Sequence, residues 1–265
     1  QGTPRWVLDA GVGVVRGNLP VGDGEDRWEE GPREVLLAPR VTVAGGVFEG
    51  LSPAPTVGGI GSLDLVAEAR WVGVPSPSNL EGGAFAWGVG ARVGVLRESF
   101  TLPGITLVAM HRRMGQVERQ SGVEDWTLAG LPEGTAGPYE GSHRVSTSPA
   151  ITSVRGVVGK DMMEVGLSAG VQRDWIRGDA EVETRVDGTG AQGREVQTRS
   201  LRMPLDRTTW FVGVNRTWVV TQLSLELGWS PDPGAGTNQV GDTRLTGGSG
   251  AGSAFSGALS FRITY

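Results

Sequence analysis

The chain has no cysteine, one lysine (Lys160) and two histidines (His111 and His143) among its 265 residues. Without cysteine there are no disulfides and no thiolate metal sites. The acidic residues outside the apolar segments, Asp23, Glu25, Asp26, Asp232 and Asp242, lack the regular spacing of a calcium loop. No metal and no cofactor are therefore expected. No stretch approaches 18 consecutive apolar residues, which excludes a transmembrane helix. A net charge of -5 argues against a nucleic-acid partner held through its phosphates. The chain does not open on a basic segment followed by an apolar run.

Glycine is abundant instead, with 44 residues. It shows no three-residue period, so the chain is not collagen-like. The glycines sit inside segments where apolar residues alternate with small or polar ones, the period of a strand. Trp6 to Arg16 places Trp6, Leu8, Ala10, Val12 and Val14 on one face. Further strands are expected over 34–48, 59–74, 83–97, 105–117, 142–158, 161–176, 205–214 and 218–230. Met110 to Arg113 blurs the alternation of the fifth, and Pro149 falls inside the sixth. Gly159-Lys160 reads as a two-residue hairpin turn, and Asn215 to Thr217 as another turn. Long polar loops are expected over 18–33, 118–141, 177–204 and 231–249, with room in 177–204 for a projecting hairpin. The chain reads as one domain with these loops on one side.

The last segment, from Gly250, carries Phe255, Gly257, Leu259, Phe261, Ile263 and Tyr265 against Ser256, Ala258, Ser260, Arg262 and Thr264. It resembles the closing strand of bacterial outer-membrane β-barrels, which alternates in this way and ends on an aromatic residue. Among these, the small OmpA/OmpX-like and opacity-type barrels are nearest in kind. The resemblance implies an all-β, closed, antiparallel, up-and-down transmembrane barrel. Ten strands are expected, with eight or twelve as alternatives. It also implies the bacterial outer membrane, both termini periplasmic, and a cleaved signal peptide ahead of Gln1. Lipid and lipopolysaccharide-type molecules would then surround the barrel, with a protein partner possible at the long loops. A water-soluble β-sandwich is the rival fold, but its solvent face would carry more Lys, Glu and Thr than this glycine-rich face does.

In such a barrel, interfacial aromatics form girdles at both rims. Trp71, Trp87, Trp175, Trp210 and Trp229 fall at the outer ends of the apolar faces, and Trp6, Phe261 and Tyr265 at the periplasmic ends. The opposite, inward parity gives the lumen candidates Asp9, Arg40, Asp64, Glu68, Arg70, Arg92, Arg155, Glu164, Asp174, Glu226 and Arg262. They serve either as a selective aqueous path or as paired charges that fill the barrel and fix its register.

No catalytic residue is expected. His143 precedes Ser146 and Ser148, but Ser142-His-Arg-Val-Ser146 does not match the His-x-Ser arrangement associated with outer-membrane phospholipases and deacylases. There is no Asp-His pair of the omptin kind either. Gly188-Thr-Gly190-Ala-Gln-Gly193 spells a dinucleotide loop with no helix to follow it. The expected role is structural or surface-interacting, as part or anchor of an outer-membrane assembly. A narrow channel for small solutes is the first alternative and an outer-membrane hydrolase the second.

Overall fold

The computed structural model describes residues 5–22, 28–51, 60–73, 83–123, 140–187, 195–231, 238–240, 243–245 and 253–265. Among these every regular element is a strand. They are β1 (Trp6–Gly22), β2 (Trp28–Phe48), β3 (Ser62–Gly73), β4 (Gly83–Leu96), β5 (Gly104–Met114), β6 (Val117–Val123) and β7 (Glu140–Thr147). They continue as β8 (Ala150–Met162), β9 (Val165–Asp187), β10 (Glu195–Trp218), β11 (Thr221–Ser230), β12 (Asn238–Val240), β13 (Thr243–Leu245) and β14 (Ala254–Thr264).

Ten of these close into an antiparallel ring: β1-β2-β3-β4-β5-β8-β9-β10-β11-β14 and back to β1. The seam is a full ladder, from Val7 opposite Thr264 to Arg16 opposite Phe255. Trp6 and Tyr265 extend it by exchanging backbone hydrogen bonds, the Trp6 N–H donating at 3.2 Å and the Tyr265 N–H at 2.9 Å. Closure removes the edge strands that would otherwise leave backbone groups unpaired.

The register sets the barrel's shape. From Trp210, pairing through Trp229 and Phe255 reaches Arg16 of β1. In the other direction it runs through Val171, Gly156, Leu107, Val93 and Leu63 to Phe48, just past Gly46, the β2 residue whose N–H donates to the Arg5 carbonyl. The two arrivals differ by about 12 residues, which for ten strands tilts each by roughly 40°.

Alternation decides which side chains face out. Leu8, Val12, Val41, Val43, Leu65, Val89, Leu107, Val154, Leu167, Val212, Leu225 and Leu259 are all exposed on the outside. The inward set is mainly small or polar: buried Ala44, Ala84, Ala86, Ser153, Ser230 and Ser260, with Asp9 and Glu68, and with Met110 and Phe211 as its large buried apolar members. This is the reverse of a water-soluble protein, and a continuous apolar exterior of this kind marks a surface that meets hydrocarbon. The face changes character along β9. Val165, Leu167 and Ala169 give way to Arg173, Arg177 and Glu181, all exposed.

Several boundaries differ from the sequence reading. β1 and β2 run through most of 18–33, so that only 23–27 lies outside the described residues. β9 and β10 extend over 177–187 and 195–204 as a paired projection, the hairpin for which that segment had room. The 118–141 segment begins and ends in β6 and β7, and β12–β13 form a short hairpin within 231–249. Beyond Pro149, where β8 begins, β7 takes the place beside β9: Ala150 faces Arg177, and Thr147 faces Ala180. Proline has no N–H to donate to a ladder, but its carbonyl accepts the Met114 N–H at 3.0 Å.

The hairpin expected at Gly159-Lys160 turns instead at Met163-Glu164, and the one expected at Asn215 to Thr217 turns at Val219-Val220. Met163 (φ 59°) and Val219 (φ 45°) both take left-handed backbone. Two-residue hairpins require this conformation, but neither residue type favours it.

A charged lumen as the candidate functional site

Inward parity on ten tilted strands gathers the charged residues of distant segments into one space. The lumen holds a cavity of ≈ 1430 Å³ that reaches from Arg5 and Tyr265, at the end with the short turns, to Ile151 and Ile176. Ten of the eleven lumen candidates line it: Asp9, Arg40, Asp64, Glu68, Arg70, Arg92, Arg155, Asp174, Glu226 and Arg262. The exception is Glu164. It lies in the Met163-Glu164 turn, where its carboxylate accepts from Arg216 Nη2 at 3.0 Å in an exposed pair. Parity assigned it correctly only as far as the strand continued.

Beside Arg5 and Arg97 near the short-turn end, two lumen arginines inside strands were not legible. Arg112 lies within the Met110 to Arg113 stretch, and Arg207 near the start of the expected eighth strand. Pairing reveals both. Arg112 is opposite Gly88 and Ile151, and Arg207 is opposite Asp174.

The wall formed by β14 and β1 to β5 carries Arg40, Arg70, Arg92, Arg112 and Arg262 against Asp9, Asp64 and Glu68. Glu68 is the hub. Its side chain is 6% exposed and accepts from Arg112 Nε at 2.8 Å, with Arg70 Nη2 at 3.1 Å. Arg112 also donates to Ser153 Oγ at 2.6 Å. Arg92 Nε donates to Asp64 Oδ2 at 2.7 Å across the β3–β4 ladder. Arg262 faces Asp9 across the seam at 3.4 Å, an ion pair without a well-formed hydrogen bond. Charges removed from water in this way need such partners, since an unpaired one costs several kcal/mol.

The wall formed by β8 to β11 carries Arg155 and Arg207 against Asp161, Asp174 and Glu226, and its arginines are more completely bonded. Arg155 grips the Glu226 carboxylate with both terminal nitrogens, Nη1 to Oε1 at 3.0 Å and Nη2 to Oε2. This bidentate pair bridges β8 to β11 across two intervening strands. The Arg155 guanidinium stacks 3.7 Å from the centre of the Phe211 ring, a cation–π contact. Phe211 can lie inward because Gly170 opposite it has no side chain; a Cβ there would run into the ring. Gln172 donates to Asp174 at 2.8 Å, and Arg207 to Ser230 Oγ at 2.8 Å.

At the mouth, Lys160 donates to the carbonyl of Phe100 at 3.0 Å and to that of Ser99, and pairs with Glu98 at 3.2 Å. The only lysine thus ties the end of β8 to the β4–β5 turn.

The aromatic candidates all lie on the outer surface. Trp210, Trp229 and Phe255 are consecutive neighbours on β10, β11 and β14, and Trp71 faces Phe85 beside Trp87. Trp175 lies at the end of the apolar run of β9. Trp6, Phe261 and Tyr265 lie toward the opposite end, joined there by Trp218. Phe255 and Tyr265 are ten residues apart, about 25 Å along the barrel axis at the tilt above. That is the height of the apolar band in membrane barrels.

His111 faces outward, with Nδ1 3.0 Å from Thr152 Oγ1. Among the described residues no histidine faces the lumen, and the buried hydroxyls of Ser153 and Ser230 are bonded to arginine. The side chain of His143 lies outside the described residues, as do the 188–193 glycines and Asp23, Glu25, Asp26, Asp232 and Asp242.

No protein-family model and no curated protein matches this chain. Among solved structures it is similar to an outer membrane channel from Pseudomonas putida F1, at 10% identity over 100% of this chain and 97% of that one, with a TM-score of 0.44. It is also similar to the outer membrane protease OmpT from Escherichia coli, at 10% identity over 99% and 96%, TM-score 0.40. The translocator domain of the autotransporter NalP from Neisseria meningitidis matches at 9% identity over 99% and 89%, TM-score 0.38. At these scores the likenesses carry no argument about activity.

Proposed function

We propose that this protein is an integral outer-membrane barrel whose lumen is a narrow aqueous path for small polar solutes. The observation that carries this reading is the cavity, which follows the inner wall from the short-turn end to Ile151 and Ile176 and is lined by charge along its course. The apolar exterior and its two aromatic rims support placement in a bilayer. Only closed barrels and helices satisfy their backbone there, and this ring is closed. The bidentate Arg155–Glu226 pair lines the cavity and narrows the path. The refolded protein in planar bilayers is expected to give steady conductance steps. Absence of any step from protein that is demonstrably folded and inserted would reject the passage.

A second reading, a surface-interaction barrel in an envelope assembly, is favoured by a separate observation. β9 and β10 run on past Trp175 and Trp210 to Asp187 and Glu195, and β7 and β6 add to them. This builds a four-stranded extension beyond the apolar band, where protein or lipopolysaccharide-type partners would meet it. Removing 179–202 and rejoining the hairpin tests it. The barrel should still insert, and co-purification of an envelope partner should be lost. Unchanged partners would reject the reading.

A further inference from the structure

We propose that the arginine-rich wall of the lumen binds a small multivalent oxyanion of the phosphate or polycarboxylate class, held between Arg40 and Arg70. The proposal rests on the aqueous-lumen reading above. Arg40 and Arg70 stand directly opposite each other on neighbouring strands, both on the inner face. Like charges directly opposite destabilise a sheet, so this pair calls for a counter-charge. Glu68 supplies only part of it. Its oxygen at 3.1 Å serves one terminal nitrogen of Arg70 and is shared with Arg112. Among the described residues no carboxylate forms an ion pair with Arg40.

The nitrogens themselves show the deficit. Arg40 Nε, Arg70 Nε and Arg262 Nε are buried donors without a hydrogen-bond acceptor. All three belong to the same wall, while Arg155 and Arg207 opposite are bonded. Buried donors left without partners are uncommon in folded proteins and mark a place where a further acceptor belongs. Guanidinium forks match the planar or tetrahedral array of oxygens in carboxylate and phosphate. Two forks one strand apart, with Arg112 and Arg262 in electrostatic range of Arg70 and Arg40 respectively, outnumber the three carboxylates of the wall. A monovalent halide would neutralise less charge and accept fewer directed bonds.

The test uses the full refolded barrel in neutral detergent, with sodium phosphate as the probe and sodium chloride at matched ionic strength as the reference. Thermal unfolding is followed for the wild type, for Arg40→Gln and for the exterior variant Arg173→Gln. Without phosphate, Arg40→Gln should unfold at or above the wild-type temperature, since it removes a like-charge neighbour. With phosphate, the wild type and Arg173→Gln should shift upward by several degrees, and Arg40→Gln should bind about tenfold more weakly. Arg40→Lys, which keeps the charge and loses the fork, should fall between. An equal phosphate shift in all variants, or no shift in the wild type, would overturn the site. Citrate tested alongside distinguishes the two sources of oxygen. Binding without conductance in bilayers would retain the site and reject the passage. Conductance without binding would do the reverse.

Discussion

The wall built by β14 and β1 to β5 carries five arginines against three carboxylates, while the wall built by β8 to β11 carries two arginines against three carboxylates. The first leaves three arginine nitrogens without acceptors. The second uses a bidentate pair, a stacked ring and hydroxyl acceptors to bond its charges internally. The same inward parity therefore yields two kinds of surface. An internally bonded wall holds the barrel's cross-section, and an arginine-rich one retains unsatisfied capacity toward whatever enters. Buried ion pairs are weak evidence of net stability, so the bonded wall is best understood as fixing geometry rather than as adding strength.

The largest effect should come from breaking the first wall at its seam. Deleting Phe261 to Tyr265 removes Arg262 from Asp9 and the last four ladder pairs with β1. No heat-modifiable folded band is expected on gels. Wild-type amounts of that band would show that closure does not depend on this strand.

Next is a comparison of hubs. Glu68→Ala leaves Arg70 and Arg112 facing each other without a carboxylate, and should lower stability to urea by about 3–5 kcal/mol. Glu226→Ala frees Arg155 alone, in a pair whose side chains are 26% and 31% exposed. It should cost about 1 kcal/mol and raise single-channel conductance by removing the bridge. Equal losses from the two substitutions would erase the distinction between the walls.

The smallest effect concerns filling. Gly170→Ala puts a Cβ against the Phe211 ring and the Gly156 carbonyl, and should destabilise by about 1–3 kcal/mol. Gly13→Ala in the first wall meets nothing closer than 3.6 Å and should be nearly neutral. Matching melting temperatures would mean that Gly170 is not what makes room for Phe211.

Much of this was legible from alternation alone. Leu63 to Trp71, Phe85 to Val95 and Phe255 to Tyr265 declare their outer faces residue by residue, and ten such segments demand a ring. The inward charges follow from the same parity. What escaped was whatever parity cannot carry. Arg112 is adjacent to His111 and Arg113, two polar residues that lie on the outer face, so three polar neighbours hide the alternation. Glu164 sits in the two-residue turn closed by the Met162–Val165 pair, beyond the strand whose parity would have turned it inward. Turns at Met163 and Val219 gave no glycine signal, because the ladder imposes their positive φ. The 177–204 segment offered only room for a projecting hairpin, because charged residues such as Glu181 and Glu183 alternate with uncharged ones as they would in a solvated loop, and the pairing with the neighbouring strand decides between the two. The contrast between the walls needs the pairing of Arg40 with Arg70, a fact about register that neither segment contains.

The reversal potential of the inserted wild-type barrel across a tenfold potassium chloride gradient tests the central claim most directly. Among the described residues nine arginines and eight carboxylates line the lumen, with five of the arginines gathered on one wall; this predicts displacement toward the chloride equilibrium potential, reduced in Arg40→Gln. Displacement toward the potassium potential, or the same value in the variant, would contradict an arginine-governed path.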